Sequence, residues 1–119
     1  MEDALCSLDV WNRSRRLAVD VYYILADCKD FGFKNQITRA AVSIPSNIAE
    51  GFERNSKKDF MNYLRIARGS CAELRTQLYI GEEINLIDKT TAVKLKQEAL
   101  ELSKMLQGLI NRYKISNNS

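Results

Sequence analysis

The sequence predicts an all-α fold: an antiparallel up-down-up-down four-helix bundle with a kink at Pro45. Three observations carry that expectation. One proline and five glycines in 119 residues leave too little turn chemistry for a many-stranded β fold. Apolar residues recur at three-four spacing in four long segments. The links between those segments are short, which makes sequential helices antiparallel neighbours. The length suits one domain. It divides into a lead-in over residues 1–8, a bundle over 9–114 and a disordered polar tail over 115–119.

The first helix is expected from about Asp9 to Cys28, with Val10, Ser14, Leu17, Val21, Ile24 and Cys28 on its inner face. Ser7 or Asp9 would cap it, and Gly32 would end the link in a left-handed conformation. The second helix spans about Lys34 to Arg54, with Ile37, Ala41, Ile44, Ile48 and Phe52 inward. Pro45 removes an amide donor and crowds the carbonyl of Ala41, but the pattern stays in phase on both sides, so one kinked helix is predicted. Ser56, followed by Asp59, starts the third helix. Its seam is Phe60, Leu64, Ala67, Cys71, Leu74, Leu78 and Gly81. Asp88 caps the fourth, whose seam is Ala92, Leu95, Ala99, Leu102, Leu106, Leu109 and Tyr113. Gly69 lies mid-helix, where a glycine costs about 1 kcal/mol relative to alanine, so a close backbone approach is expected near it.

Composition excludes much chemistry. The chain has no histidine, so His-based metal sites, triads and di-iron carboxylate bundles are ruled out. Cys6, Cys28 and Cys71 are too far apart for a CxxC zinc pattern, and their odd number points to reduced cytosolic thiols. The five glycines form neither a P-loop nor a dinucleotide fingerprint. Glu2 and Asp3 replace the basic start of a signal peptide, and the longest charge-free run is ten residues, Ala40–Ala49. The expectation is a cytoplasmic, non-enzymatic protein with no cofactor, no metal, no membrane association and no small-molecule substrate.

Two polar stripes depart from a plain bundle. On helix 2, Gln36, Arg39, Ser43, Asn47, Glu50 and Arg54 fall within about 80° of one another. Short hydrogen-bonding side chains between two arginines suit either a solvated face or a polar network at a subunit contact. On helix 3, Lys57, Met61, Arg65, Arg68, Ala72, Arg75 and Tyr79 share a face expected to lie opposite the core. Four cations with no acid form a candidate surface for phosphate backbones, against the alternative of an ordinary solvated face. The net charge is only +3, but residues 31–79 hold eight bases against four acids. Trp11, Tyr22, Leu25, Ile66 and Ile80 give further apolar surface outside the seams, which argues for self-association.

The string from Gln36 through Arg39-Ala40-Ala41-Val42-Ser43-Ile44-Pro45-Ser46-Asn47-Ile48-Ala49-Glu50-Gly51 resembles the signature of the small bacterial four helix bundle proteins. These are also known as large-subunit ribosomal RNA intervening-sequence proteins. The likeness extends to Val10-Trp11, Arg54, Phe60, Tyr63-Leu64, Ile66-Ala67, Gly69-Ser70 and Glu73-Leu74. The resemblance implies a homo-oligomer, typically a pentamer, of four-helix protomers. Some members are encoded within intervening sequences of ribosomal RNA genes. A related branch, the retroelement accessory variability proteins, serves reverse transcriptases, where a basic pentamer engages RNA and the polymerase. No catalytic residue carries over. The first link, Cys28–Phe33, lacks the proline common there, which puts that loop's shape in question.

Taken together, these readings predict a homo-oligomeric scaffold that binds RNA or a nucleoprotein partner, such as a reverse transcriptase, through Lys57, Arg65, Arg68 and Arg75. Gln36, Arg39, Ser43, Asn47, Glu50 and Arg54 would form the oligomer interface. The alternative is a protein–protein interaction adaptor with no nucleic-acid role. An enzyme using Glu50 as a base is the least supported reading.

Overall fold

A computed structural model describes residues 3–118, with side chains described for residues 3–114. The tail expected over residues 115–119 therefore lies outside the described side chains. A short 3-10 turn, Ala4–Ser7, precedes four helices: α1 (Asp9–Ile24), α2 (Phe31–Phe52), α3 (Lys57–Glu83) and α4 (Lys89–Asn118). The lead-in is thus ordered where it is described. Asp3 caps its turn by accepting from the Leu5 amide at 3.1 Å, and Leu5 is buried.

The helices form a closed four-membered ring in which α1 packs on α2 and α4, and α3 on α2 and α4. Cross-helix contacts give the directions. Ser43 meets Ser70 and Gly51 meets Tyr63, while Phe33 reaches Gly81. Arg68 meets Gln107, and Lys96 meets Glu82. Arg13 meets Glu98 and Met105. Along α2, residues 33, 43 and 51 meet residues 81, 70 and 63 of α3, and residues 68 and 82 of α3 meet 107 and 96 of α4, so α3 runs opposite to both neighbours.

The helix 3 seam is buried along its whole length, from Phe60 to Gly81. Ala41, Ala67, Ala92 and Ala99 are fully buried. The larger members, among them Leu17, Ile37, Ile44, Leu64, Leu74, Leu102 and Leu106, are each 0–1% exposed. Burial of each stabilises the fold by roughly 1.5–3 kcal/mol.

Several local expectations are corrected. Helix α1 stops at Ile24, four residues earlier than its pattern suggested, and Leu25, not Ile24, enters the core at 1% exposure against 38%. Leu25 follows buried Val21 by four residues and Ala18 by seven, so it continues the buried face while Ile24 falls at its edge. Neither Ser7 nor Asp9 caps α1. Leu8 occupies the N-cap without a side-chain bond, while Asn12 folds back to donate to the carbonyls of Cys6 and Leu8 at 2.7 and 3.2 Å. Gly32 is helical within α2, because Asp30 starts that helix earlier by accepting from the Phe33 amide at 3.1 Å. This cap, with the Lys34 ammonium donating to the Ala26 carbonyl at 3.3 Å, shapes the first link without a proline. In α4, Ile110 is 2% exposed, and Leu109 and Tyr113 pack only partly against the core.

The left-handed residue sits elsewhere, at Asn85, with φ 63°. There the Leu86 amide donates to the Gly81 carbonyl at 2.9 Å and the Asn85 amide to Glu82 at 3.2 Å. This is a Schellman cap, which satisfies two of the carbonyls left open at the end of α3. Ser56 and Asp88 cap α3 and α4 as their positions predict, accepting from the Asp59 amide at 2.9 Å and the Thr91 amide at 3.2 Å. The bonds from Thr91 hold the Asp88 carboxyl below its ordinary range. Helix α2 continues unbroken through buried Pro45. None of the helices is long and apolar enough to cross a membrane, among the described residues.

Candidate nucleic-acid interface

The arginines of α3 stand on the shoulder facing α4 and not opposite the core. Met61, within the same stripe, is buried at 8%, and Arg65, Arg68 and Arg75 are half-buried. A wheel at about 100° per residue puts Arg65, Arg68, Arg75 and Tyr79 within roughly 80° of one another. Arg68 donates to the Gln107 side chain of α4, and Gln107 in turn donates to Asn111 Oδ1 at 2.8 Å. Arg65 donates to Asn62 Oδ1 at 3.0 Å. Arg75 Nε is buried with no hydrogen-bond partner, an arrangement that costs about 1–3 kcal/mol for an ordinary buried donor.

The carboxylate on this shoulder, Glu82, is paired with Lys96. Among the described residues, the salt bridges are Arg13 with Glu98 and Glu101, Arg54 with Glu50, and Lys96 with Glu82. Arg65, Arg68 and Arg75 take part in none of them. Lys57 lies at the exposed start of the stripe and makes a contact of its own. At the far end, Lys96 Nζ lies 3.9 Å from the centroid of the Tyr79 ring while paired with Glu82 at 2.9 Å. Sequence reasoning found the row of cations. It missed the α4 side chains beside them, because Lys96 and Gln107 are adjacent to the stripe only after the helices pack.

The stripe on α2 is partly drawn into the protomer. Ser43 is half-buried and bonds Ser70 of α3 through the two hydroxyls, and Asn47 Nδ2 donates to the Ser43 carbonyl at 2.8 Å. Arg54 donates to Glu50 at 2.7 Å and to the Tyr63 hydroxyl at 2.8 Å. Its guanidinium also lies 5.2 Å from the Tyr63 ring centroid. The Glu50 bond raises the Arg54 pKa above its usual value. Gln36 and Arg39 are exposed. Arg39 borders an open cavity of about 510 Å³ with Tyr22, Asn35, Val42 and Asn47. Next to the Ser43–Ser70 contact, α3 exposes Ile66 at 51%, and Ile80, about 15 Å beyond Ser70 along the helix, is exposed at 44%. On the wheel this apolar shoulder lies about 120° from the arginines.

The thiols stay apart from both surfaces. Cys71 is fully buried, and that burial pushes its pKa up to about 12, with Arg75 acting in the opposite direction. A thiol so held remains protonated at neutral pH and is not a nucleophile.

Among solved structures, the chain is similar to a protein of unknown function from the S23 ribosomal protein family of Bacteroides thetaiotaomicron. Identity is 28%, the match covers 85% of this chain and 97% of that one, and the TM-score is 0.80. No curated protein matches the chain. The sequence matches the 23S rRNA-intervening sequence protein family over residues 6–108, which takes in α1, α2, α3 and most of α4. With the four-helix architecture and the Arg39–Gly51 string both in place, the chain belongs to the 23S rRNA-intervening sequence protein family.

Proposed function

We propose that this protein is a non-enzymatic homo-oligomeric scaffold that binds RNA, or a nucleoprotein containing it, through the α4-facing shoulder of α3. The observation that carries the reading is the row Arg65, Arg68 and Arg75, which lacks a carboxylate partner among the described residues. Half-buried guanidinium groups normally pair with acids inside a protomer, so an unpaired row is suited to an external polyanion. The family's association with ribosomal RNA genes supports RNA as that polyanion. Gel shift with a structured RNA tests the reading. Arg65→Glu with Arg68→Glu is expected to weaken binding at least tenfold, since two charge reversals remove two phosphate contacts and add repulsion. Unchanged affinity would refute it.

Assembly is assigned to the other shoulder, through the α2 stripe Gln36, Arg39, Ser43, Asn47, Glu50 and Arg54 and the neighbouring Ile66 and Ile80. Exposed isoleucines beside an ordered polar row suit a contact between copies. The pentamer follows from the family resemblance. Arg39→Ala is expected to lower the mass measured by light scattering with helical circular dichroism intact. A variant that keeps its mass would contradict the assignment and favour a different contact surface. With one shoulder for assembly and the other for RNA, each added protomer repeats the cationic row and multiplies the phosphate contacts.

A further inference from the structure

The arginine row ends on an aromatic ring, and that juxtaposition narrows the type of nucleic acid. Tyr79 follows Arg75 by one helical turn, lies on the same side of α3 as Arg68, and is 57% exposed. The ring does not swing freely. The Lys96 ammonium sits 3.9 Å from its centroid and is itself fixed by Glu82 at 2.9 Å. A tyrosine held by a cation on one side, with more than half its surface in water, is a preformed platform for a planar group. From Arg65 to Tyr79 the helix rises about 21 Å. That length matches roughly six stacked nucleotides at ~3.4 Å per phosphate.

We propose that the surface where α3 meets α4 takes a single-stranded RNA segment, its phosphates on Arg65, Arg68 and Arg75 and one base stacked on Tyr79. The proposal rests on the RNA-binding reading above and adds the strand type and the stacking residue. A duplex keeps its bases paired and stacked inside, so it presents phosphates to the arginines but no free base to Tyr79. A single strand presents both. Half-buried Ser103 and Gln107 on the α4 side add uncharged hydrogen-bonding groups beside the row. Tyr79 is a specificity element and the arginines supply the bulk of the affinity, because phosphate contacts are blind to strand type.

The test is fluorescence anisotropy of the full chain with a labelled twelve-nucleotide oligoadenylate and with a blunt RNA duplex of equal length, for wild type, Tyr79→Ala, Tyr79→Phe and Arg65→Glu/Arg68→Glu. Tyr79→Ala is expected to weaken single-strand binding about tenfold. Its duplex affinity and the salt slope should stay unchanged, and Tyr79→Phe should retain single-strand binding to within about twofold, since phenylalanine keeps the π face. Equal loss on both RNAs, or no loss with Tyr79→Ala, would overturn the strand assignment. If the double arginine variant still loses affinity in that case, the RNA-binding reading stands without it. Wild-type protein that binds neither RNA would overturn both.

Discussion

A methyl group at position 69 would meet no atom within 4 Å, although Gly69 sits inside α3. The close approach expected there occurs instead at Gly51 and Gly81. A Cβ on Gly51 would lie 2.6 Å from Tyr63 Cβ, and one on Gly81 would lie 2.8 Å from the Phe33 ring and from Ile87. Opposite outcomes follow for the same substitution. Gly69→Ala is expected to stabilise the protein by about 0.5–1 kcal/mol, since alanine loses less backbone entropy in a helix. Gly51→Ala is expected to destabilise it by about 1–3 kcal/mol, because Tyr63 Cβ is close to its backbone and cannot swing aside. Urea denaturation of the two variants measures both. The sequence places all three glycines inside predicted helices, but only packing separates a glycine that is needed for space from one that is not. Residues on a strict three-four seam are more legible: every inward position named for α3, including the inert Cys71, is buried. Leu25 was not legible, because Ile24 and Leu25 both continue a three-four spacing from Val21 and periodicity alone does not choose between them.

At the level of helices, the four seams of the ring are unequal. The α2/α3 and α3/α4 seams are the most closely packed, and α1 is joined to α4 least closely. Three cavities of about 290, 420 and 490 Å³ lie along that last seam. Arg13 spans it, donating to Glu98 at 3.0 and 2.8 Å and to Glu101 at 3.0 Å. These bonds, Glu98 first, raise its pKa further. A helix with little buried contact on one side is expected to open locally before the rest. Arg13→Ala should speed amide exchange in α1 about fivefold while leaving mid-α3 protected. Uniform acceleration across all four helices would show that α1 does not open on its own. Helix existence and order were readable in the sequence because long apolar stripes survive small local errors. The ends were less so, because Asp30, Asn12 and Asn85 act through single hydrogen bonds or one backbone angle, with no periodicity to reveal them.

For the molecule as a whole, the net charge of +3 understates what one side presents. Four of the fifteen acids are held by other cations: Glu98 and Glu101 by Arg13, Glu50 by Arg54, and Glu82 by Lys96. That division leaves Arg65, Arg68 and Arg75 without a carboxylate partner on α3, with the shoulder proposed for assembly about 120° around the same helix. The cationic row was legible as a one-dimensional pattern, whereas its position where α3 meets α4 depends on helix packing. Phosphate binding by this row is read out by the salt dependence of RNA affinity. For single strands, the logarithm of the binding constant falls by about 0.7 per tenfold rise in salt for each phosphate neutralised. Wild-type protein is therefore predicted to show a slope of about −2 or steeper, and Arg65→Glu/Arg68→Glu a slope of about −0.7 with much weaker binding. A shallow wild-type slope, or one that the double variant leaves unchanged, would contradict the account.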